Sequence, residues 1–555
     1  MATTYDNASL VMIPSGVKED KLYSIKPTDG SGDFTFSRGT DTATRVNASG
    51  LIEKERGNLA IQSNSFSTSW SATNATLTSG QSGYDGSSDA WSLSGTGANA
   101  RVDINNTSSG LLTWSVYAKA GSSDFLRLRV DYGAAYVDKY FDLSNGSLGG
   151  SFFAPIISNI EAVGATGWYR CSVTLSQSIS TIRIYTADVD LGGSSTGNIY
   201  IQDAMLNQGL VAQPYIETTT AAVYEGITDN LPRLDYSGGA SCPSLLLEPS
   251  RTNLFIQSEY LNTSYSLNAG TTLTDNYGIS PEGVQNATRY VGTGGSGFGR
   301  QYTLTNGTDY TISVYVKSNT GATQYCRLIG DSSNISSDLE VTTEWTRVYY
   351  TWTSAGLANK TNGLFRDSSD NDIDILVYGM QLEAGSYPTS YIPCMGTSAS
   401  RAGDSCSKTG ISSLIGQTEG TLFIEMKDLV WRSSATRIIG ISDGTQQNRV
   451  ILLTGQTSNT LRAIVTTGNV LQTSTTASAP FGNVKLAIAY SSAGGVVYSN
   501  GSQVLSFGAI SVPACSALYI QMVEDGTLFP ADGKNTQALV FKTRLTDAEL
   551  AALTA

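Results

Sequence analysis

The feature that most constrains this chain is a motif that occurs twice, first at residues 51–63 and again at residues 246–258. Leu, Glu, Arg, Asn, Leu, Ile, Gln and Ser recur between the two copies at one offset of 195 residues (51 to 246). That offset is the length of a whole domain and exceeds the short periods of solenoid repeats. The sequence therefore predicts two copies of one domain.

The match between the copies extends far beyond the opening motif. Residues 115–119 match 313–317, residues 168–170 match 345–347, and residues 206–216 match 382–392. The offset falls from 198 residues (115 to 313) to 176 residues (206 to 382). The first copy must therefore contain an insertion, which we place within residues 130–160.

One matched strand has the pattern of a sheet with one buried face. Every second residue is apolar: Leu112, Trp114, Val116 and Ala118 in the first copy, and Tyr310, Ile312, Val314 and Val316 in the second. A period of two directs one set of side chains into a core and the other to the opposite face. Repeated strands of this kind, separated by Gly, Asn and Asp turns, predict an antiparallel jelly-roll sandwich for each copy.

These patterns divide the chain into five segments. Residues 1–50 form an attachment or interlocking segment, 51–225 the first jelly roll, 226–245 an ordered linker, 246–400 the second jelly roll, and 401–555 a further sandwich. An Asn-Gly pair at Asn500 predicts a hairpin in the last segment. Thr546 and Glu549 form a capping box, which predicts one short C-terminal helix.

Charge and hydropathy exclude several kinds of partner. The net charge is −13, from 34 basic and 47 acidic residues, whereas a nucleic-acid binder carries a basic face. We therefore expect no nucleic-acid partner. No long apolar run predicts membrane insertion, and the first residues lack the pattern of a cleaved signal peptide. The six cysteines are dispersed, which favours reduced thiols, although one or two disulfides stay open.

The two jelly rolls resemble the carbohydrate-binding modules found beside glycoside hydrolases. The likeness lies in the Asn-Leu opening, the Ser-Val-Tyr-x-Lys strand, the Trp-x-Arg strand and the closing strand of each copy. The segment 401–555, with its hairpins and capped end, resembles a concanavalin-type or laminin-G-type lectin. The predicted fold class is thus all-β: tandem antiparallel β-sandwich (jelly-roll) domains plus a C-terminal lectin-like sandwich with one short C-terminal helix.

Nearly the full chain resembles virion appendage proteins of tailed bacteriophages, especially crAss-like phages. Residues 36–53, 232–236, 244–254, 400–402 and 408–414 carry this likeness. It implies a head or tail fibre protein located in the virion, a homotrimer, attachment to other virion proteins through residues 1–50, and adhesion to host-surface glycans. Two alternatives stay open, namely a capsid decoration protein that binds no sugar and a polysaccharide depolymerase.

The chain contains no histidine, which excludes catalytic triads, histidine bases and histidine zinc sites. Glycosidic cleavage needs only two carboxylates, but no acidic pair can be placed across a cleft from the sequence. We therefore predict that the protein is not an enzyme. Residues 292–297 match GxGxxG, but a strand follows where a dinucleotide site needs a helix, so we expect a hairpin loop there.

Five residues are candidates for sugar contact. Tyr117 with Lys119, and Tyr315 with Lys317, occupy matched positions on the less buried face of one strand. Trp431 is a similar candidate in the last segment. An aromatic ring beside a hydrogen-bonding group suits a sugar, although Tyr is also simply a good strand residue.

The densest acidic cluster consists of Asp367, Asp370, Asp372 and Asp374. Calcium prefers such oxygen ligands, but the spacing excludes an EF-hand. A structural calcium and a solvated turn both stay open, and we expect no other cofactor.

Overall fold

The computed structural model describes residues 2–192, 194–369, 371–432, 435–522 and 531–555. The predicted all-β class is confirmed, because strands dominate the described chain and pair as antiparallel sheets. The predicted C-terminal helix spans Asp547–Thr554, and both bonds of the Thr546–Glu549 capping box are present. A second helix, Ala2–Asn7, was not predicted.

The first sandwich packs two six-stranded sheets around one core. Sheet 1A has the order Ile157–Ala162, Trp168–Ser176, Leu111–Ala120, Asn198–Gln208, Ala90–Gly95 and Ala75–Gln81. Sheet 1B has the order Ser147–Leu148, Ala135–Asp142, Phe125–Tyr132, Thr181–Ala187, Arg101–Asn105 and Ser71–Thr73. As the alternation predicted, Leu112, Trp114, Val116 and Ala118 are buried.

The second sandwich repeats this pairing with its own core. Sheet 2A has the order Thr346–Thr353, Asp309–Ser318, Ile373–Ala384, Ala287–Gly292 and Thr271–Gly278. Sheet 2B has the order Asn334–Ile335, Gln324–Gly330, Lys360–Arg366, Gly297–Tyr302 and Ser266–Leu267, and Leu339–Val341 also pairs with Gln324–Gly330. Strand for strand, sheet 2A matches sheet 1A apart from Ile157–Ala162, an extra strand of the first copy that begins inside the predicted insertion and ends two residues beyond it.

The duplication extends to single hydrogen bonds. Asn58 donates to the carbonyls of Ala204 and Ile216, at 3.0 and 2.8 Å. Its counterpart Asn253 donates to those of Met380 and Ile392, at 3.1 and 2.9 Å. Each asparagine is fully buried and ties the opening motif of its copy to the closing strand.

Four two-stranded ribbons complete the described strands outside the large sheets. They are Arg56–Asn58 with Val223–Glu225, Arg251–Asn253 with Ala399–Arg401, Arg45–Val46 with Ile52–Glu53, and Gly97–Ala98 with Ser194–Ser195. The first two close the two copies in the same way.

The third sandwich draws strands from three parts of the chain. Sheet 3A has the order Arg233–Asp235, Ser244–Leu246, Asp532–Phe541, Glu419–Val430, Gly482–Ser491, Gly494–Ser499 and Ser502–Phe507, and Leu10–Met12 also pairs with Asp532–Phe541. Sheet 3B has the order Val17–Lys18, Lys21–Leu22, Phe34–Ser37, Ser405–Lys408, Ala517–Ile520, Arg437–Ser442, Arg449–Thr454, Thr460–Thr467 and Val470–Ser478.

Segments that the sequence assigned to an attachment region and to a linker therefore contribute to this sandwich. Leu10, Phe34 and Phe36 from the first 50 residues lie in its core, as do Leu234 and Leu245 from the stretch between the copies. These short strands cannot bury their own apolar faces, so they complete sheets begun elsewhere. The predicted boundaries at residues 50, 225, 245 and 400 stay a prediction.

Of the two hairpins predicted from the sequence, one is confirmed and one is wrong. The hairpin at Asn500 and Gly501 is confirmed, with both residues at positive φ as a tight turn of this type requires. The loop at residues 292–297 is not the expected hairpin, because the strands on either side belong to opposite sheets, 2A and 2B. All six cysteines are free thiols.

Among the described residues, no helix is both long and apolar enough to span a bilayer.

Candidate functional site

Tyr117 lies on the outward face of sheet 1A, as predicted, but other side chains cover its ring. The ring of Tyr84 stacks on it with centroids 3.9 Å apart, and the guanidinium of Arg170 lies 5.2 Å from its centroid. Lys119 is half-buried one step along the same face, opposite Trp168. Tyr117 is thus held between a ring and a cation of its own chain.

Tyr315 occupies the matched position in sheet 2A and is covered in a different way. Arg347 lies over its ring at 5.3 Å, matching Arg170 in the first copy. Ile52, from the opening motif of the first copy, packs into the cluster formed by Tyr315 and Tyr378. Lys317 is half-buried farther along the strand. Sugar contact by these residues stays a prediction.

Trp431 is half-buried at the end of a strand of sheet 3A. Its indole nitrogen donates to the carbonyl of Gly455 at 2.9 Å. Its neighbour Arg432 lies over the ring of Tyr387, 4.2 Å from the centroid, and so joins the third sandwich to the second. A sugar contact at Trp431 also stays a prediction.

The acidic cluster is only partly visible, because Asp370 lies outside the described residues. Asp367 is buried and accepts hydrogen bonds from the backbone and side-chain amides of Asn371, at 3.0 and 2.7 Å. Asp372 is exposed. Within the described ranges, no three acidic, cysteine or histidine side chains converge so as to hold a metal ion.

Asp374, the last member of that cluster, is engaged by donors of its own sandwich. Arg289 binds both carboxylate oxygens, at 2.8 and 2.6 Å, and Asn319 donates to one of them at 3.0 Å. The hydrogen bond from Arg289, together with that from Asn319, lowers the pKa of Asp374 despite some desolvation. A structural calcium here stays a prediction that would require displacing these donors.

Charged and aromatic side chains also crowd the outward face of sheet 1B, which sequence reasoning missed. Strand pairing arranges it in three rows: Arg101, Tyr185, Arg127 and Tyr140; Asp103, Arg183, Arg129 and Asp138; Asn105, Thr181, Asp131 and Tyr136. Cross-strand neighbours on one face interact directly, so charge and ring contacts run across the whole sheet.

Ion pairs hold the arginines of this face in place. Arg127 binds Asp138 at 2.7 Å, while Arg129 and Arg183 share Asp131 at 2.6 and 2.7 Å. Desolvation acts to lower the pKa of Arg183, but Tyr185 and Asp131 raise it above its ordinary value, so the guanidinium stays charged. The half-buried Arg129 and Arg183 keep donors near the surface.

Two phenylalanines stand beside this ladder on a loop from the insertion of the first copy. Phe152 and Phe153 are 54% and 57% exposed. The backbone amides of both donate to one oxygen of buried Asp138, each at 2.9 Å. Their rings meet Tyr140 at 6.3 Å and Tyr136 at 4.8 Å between centroids. The loop is therefore anchored, and its exposed rings are held in a fixed arrangement.

We call Arg127, Arg129, Tyr136, Phe152 and Phe153 the aromatic face. The guanidinium of Arg129 lies 3.7 Å from the centroid of Tyr136, and that of Arg127 lies 5.5 Å from Phe152. Exposed apolar rings flanked by fixed donors can pack on C–H surfaces and hydrogen-bond hydroxyl groups at the same time.

Part of this face was detectable in the sequence. The change of offset between the copies located the insertion that carries Phe152 and Phe153, but it did not show what the loop covers. The matched strands of sheet 2B present Gly299 opposite Gly363 where sheet 1B has charged and aromatic residues. A comparison of the outward positions of the two copies could have found the difference.

Comparison with known proteins gives structural matches alone. No protein-family model matches the chain, and no curated protein does. Among solved structures, a Ruminococcus gnavus IT-sialidase CBM40 bound to α2,3-sialyllactose matches with a TM-score of 0.23 and 14% identity, over 26% of this chain and 91% of that one. The NanB sialidase of Streptococcus pneumoniae matches with a TM-score of 0.22 and 14% identity, over 27% of this chain and 26% of that one.

The CBM22-1 xylan-binding domain of Xyn10C from Paenibacillus barcinonensis matches with a TM-score of 0.19 and 15% identity, over 25% of this chain and 94% of that one. With TM-scores this low, these likenesses carry no argument about what this chain binds.

Proposed function

We propose that this chain is a non-enzymatic component of a phage virion appendage that attaches to host-surface glycans through the aromatic face of its first sandwich. The observation that carries the glycan part is the anchored pair of exposed rings, Phe152 and Phe153, beside fixed arginines. The virion part rests on the sequence resemblance to phage appendage proteins.

The chemistry of the face suits a sugar without a net charge. Phe152 and Phe153 offer apolar ring surface for the C–H face of a pyranose, and Arg129 and Arg183 offer donors for its hydroxyl groups. Because Asp138 already orders the loop, binding need not pay for loop ordering, which preserves affinity at a small site.

A glycan array of host capsular and surface polysaccharides, probed with the full chain, tests this function. The double variant Phe152→Ala with Phe153→Ala should lose about 5- to 150-fold in affinity, since each aromatic contact contributes about 0.5–1.5 kcal/mol. The matched control is Val470→Ala with Leu471→Ala, which removes two equally exposed apolar side chains (60% each) from the third sandwich.

The outcomes separate the three functions. If the wild-type chain and the control variant both bind a glycan that the phenylalanine variant does not bind, adhesion through this face is supported. The absence of any retained glycan would overturn it and favour capsid decoration. New reducing ends released from host capsular polysaccharide would instead show a depolymerase.

A homotrimer is part of the same proposal, because several weak sites on one particle bind a surface far more strongly than one. Mass photometry should find particles of three times the 58.7 kDa chain mass. Particles of the single-chain mass alone, at all concentrations measured, would contradict it.

A further inference from the structure

A cavity of about 620 Å³ separates the first sandwich from the second. Residues 157–161 and Arg170 line it on the side of the first sandwich, and Asn276, Ile279 and residues 283–285 line it on the side of the second. Ser172 and residues 210–212 of the first sandwich line it as well, so the cavity extends from the outward face of sheet 1A to the strand that contains residues 157–161. That strand, Ile157–Ala162, is the extra strand of the first copy and the outermost strand of sheet 1A.

The hydrogen-bond pattern shows which backbone groups of this strand are free. The amide of Val163 donates to the carbonyl of Trp168 at 2.9 Å, so these two residues form a hydrogen-bonded pair. In an antiparallel ladder such pairs recur at every second residue. With the observed register, residues 157, 159 and 161 face the neighbouring strand. Ser158 and Ile160, which also line the cavity, therefore point their N–H and C=O groups away from the neighbouring strand, on the side where the described chain offers them no partner strand.

We infer that this edge is a docking site for an extended peptide segment of a partner protein, which would add a strand to sheet 1A. An unpaired strand edge is a template for such an addition, since its donors and acceptors alternate at the spacing of those on another extended backbone. Ser158 and Ile160 present this pattern at the border of the cavity.

Charge further defines the peptide. Glu161 is exposed beside the free edge. Arg170 lies opposite it on the neighbouring strand and interacts with it electrostatically, but the Arg170 guanidinium donates to the carbonyl of Gln213 and forms no salt bridge with Glu161. Opposite charges on neighbouring strands stabilise pairing, so the segment should place a lysine or arginine near Glu161. The occupant is therefore an extended peptide with at least one basic residue, and it is distinct from the glycan proposed for sheet 1B.

A synthetic ten-residue peptide of alternating valine and lysine is the probe for this site. Binding to the full chain is measured by fluorescence anisotropy, and hydrogen exchange reports the amides of Ser158 and Ile160. We expect saturable binding together with at least tenfold slower exchange at these two amides. Two further probes are N-methylated, one at its odd-numbered amides and the other at its even-numbered amides. One of these two probes should not bind and the other should, because a docked strand forms hydrogen bonds to the sheet edge through every second residue only.

The variant Ile160→Pro removes a free-edge donor without breaking the native ladder, since proline is tolerated where the amide faces away from the sheet. It should weaken peptide binding at least tenfold while glycan binding is unchanged. Equal binding of both N-methylated probes, or exchange at Ser158 and Ile160 that the peptide does not alter, would overturn the inference. In that case the second sandwich serves only to shield the edge. The N-methylated probes decide the question even if the proline variant does not fold.

Discussion

At the scale of single residues, the clearest difference between the copies lies at a bulge in the closing strand. Asp203 and its counterpart Gly379 both adopt positive φ, at 53° and 67°. Such a backbone suits glycine and is tolerated by aspartate. Asp203 is buried and accepts a hydrogen bond from Tyr84 at 2.9 Å. Burial raises its pKa to about 6, although the bond from Tyr84 partly offsets this.

This pKa predicts a pH dependence that Asp203→Asn should remove. The folded pKa lies above the ordinary value of 3.8, so the folded chain holds this proton more tightly than the unfolded chain does. Wild-type stability should therefore fall as the pH rises from about 4 to about 6 and then level off. Asparagine keeps the acceptor and the positive φ without the charge, so above pH 6 the variant should be more stable by at most about 3 kcal/mol.

Urea denaturation at a series of pH values, followed by tryptophan fluorescence of the first sandwich, measures this effect. Parallel curves for wild type and Asp203→Asn between pH 4 and 7 would show that the carboxyl is not responsible.

At the scale of elements, the third sandwich depends on strands far away in the chain. Leu10–Met12 pairs with the C-terminal half of Asp532–Phe541, and Ser244–Leu246 pairs with its N-terminal half. Phe34–Ser37 extends the other sheet through Ser405–Lys408. Both sheets of the first sandwich, by contrast, come from one continuous stretch within residues 71–208.

Two fragments should therefore behave differently. A fragment of residues 51–225 keeps all the strands of its sheets and should unfold cooperatively with a β-type circular dichroism spectrum. A fragment of residues 401–555 loses an edge partner in each sheet and several core side chains, so it should aggregate or lack a cooperative transition. Thermal unfolding followed by circular dichroism compares them. A sharp transition in the 401–555 fragment would refute this account of the third sandwich.

At the scale of the whole molecule, buried charges join the sandwiches. Lys54, in the opening motif of the first copy, reaches Glu259 and Glu282 of the second sandwich at 2.7 and 2.6 Å. Tyr391 also donates to Glu259, at 3.0 Å. Desolvation alone would lower the pKa of Lys54, but the two carboxylates raise it above its ordinary value. A second buried cluster, centred on Arg233 with Glu248 and Asp404, joins the second sandwich to the third.

Lys54→Met should destabilise the second sandwich by about 3–5 kcal/mol, because it leaves two buried carboxylates without their cation. Burial raises the pKa of Glu282, so the loss should be largest at neutral pH and smaller in acid, where that carboxyl takes up a proton. Urea denaturation measures it. The control is Arg56→Met, which breaks a pair with Glu225 whose side chains are 37% and 49% exposed and should cost less than about 1 kcal/mol. Equal losses of stability in both variants would contradict the role of Lys54 in stabilising the contact between the first and second sandwiches.

The candidate site was predictable only in part. The alternation around Tyr117 correctly identified the face of the sheet on which that residue lies. It could not show that Tyr84, more than thirty positions earlier, stacks on the ring. For Tyr315 the covering residue, Ile52, belongs to the opening motif of the other copy. Phe152 and Phe153 follow no periodic pattern, and their exposure depends on how Asp138 holds the loop.

By itself, the sequence determined the all-β class, the duplication, the buried face of the matched strands, the Asn-Gly hairpin and the capped helix. Each of these depends on residues that are close in sequence or on a pattern that one strand carries alone. The tertiary structure decided which distant strands complete the third sandwich, which rings stay exposed and which charges are buried between sandwiches. Those features depend on contacts between residues of different elements, some of them hundreds of positions apart, and no local propensity or periodicity encodes the partner.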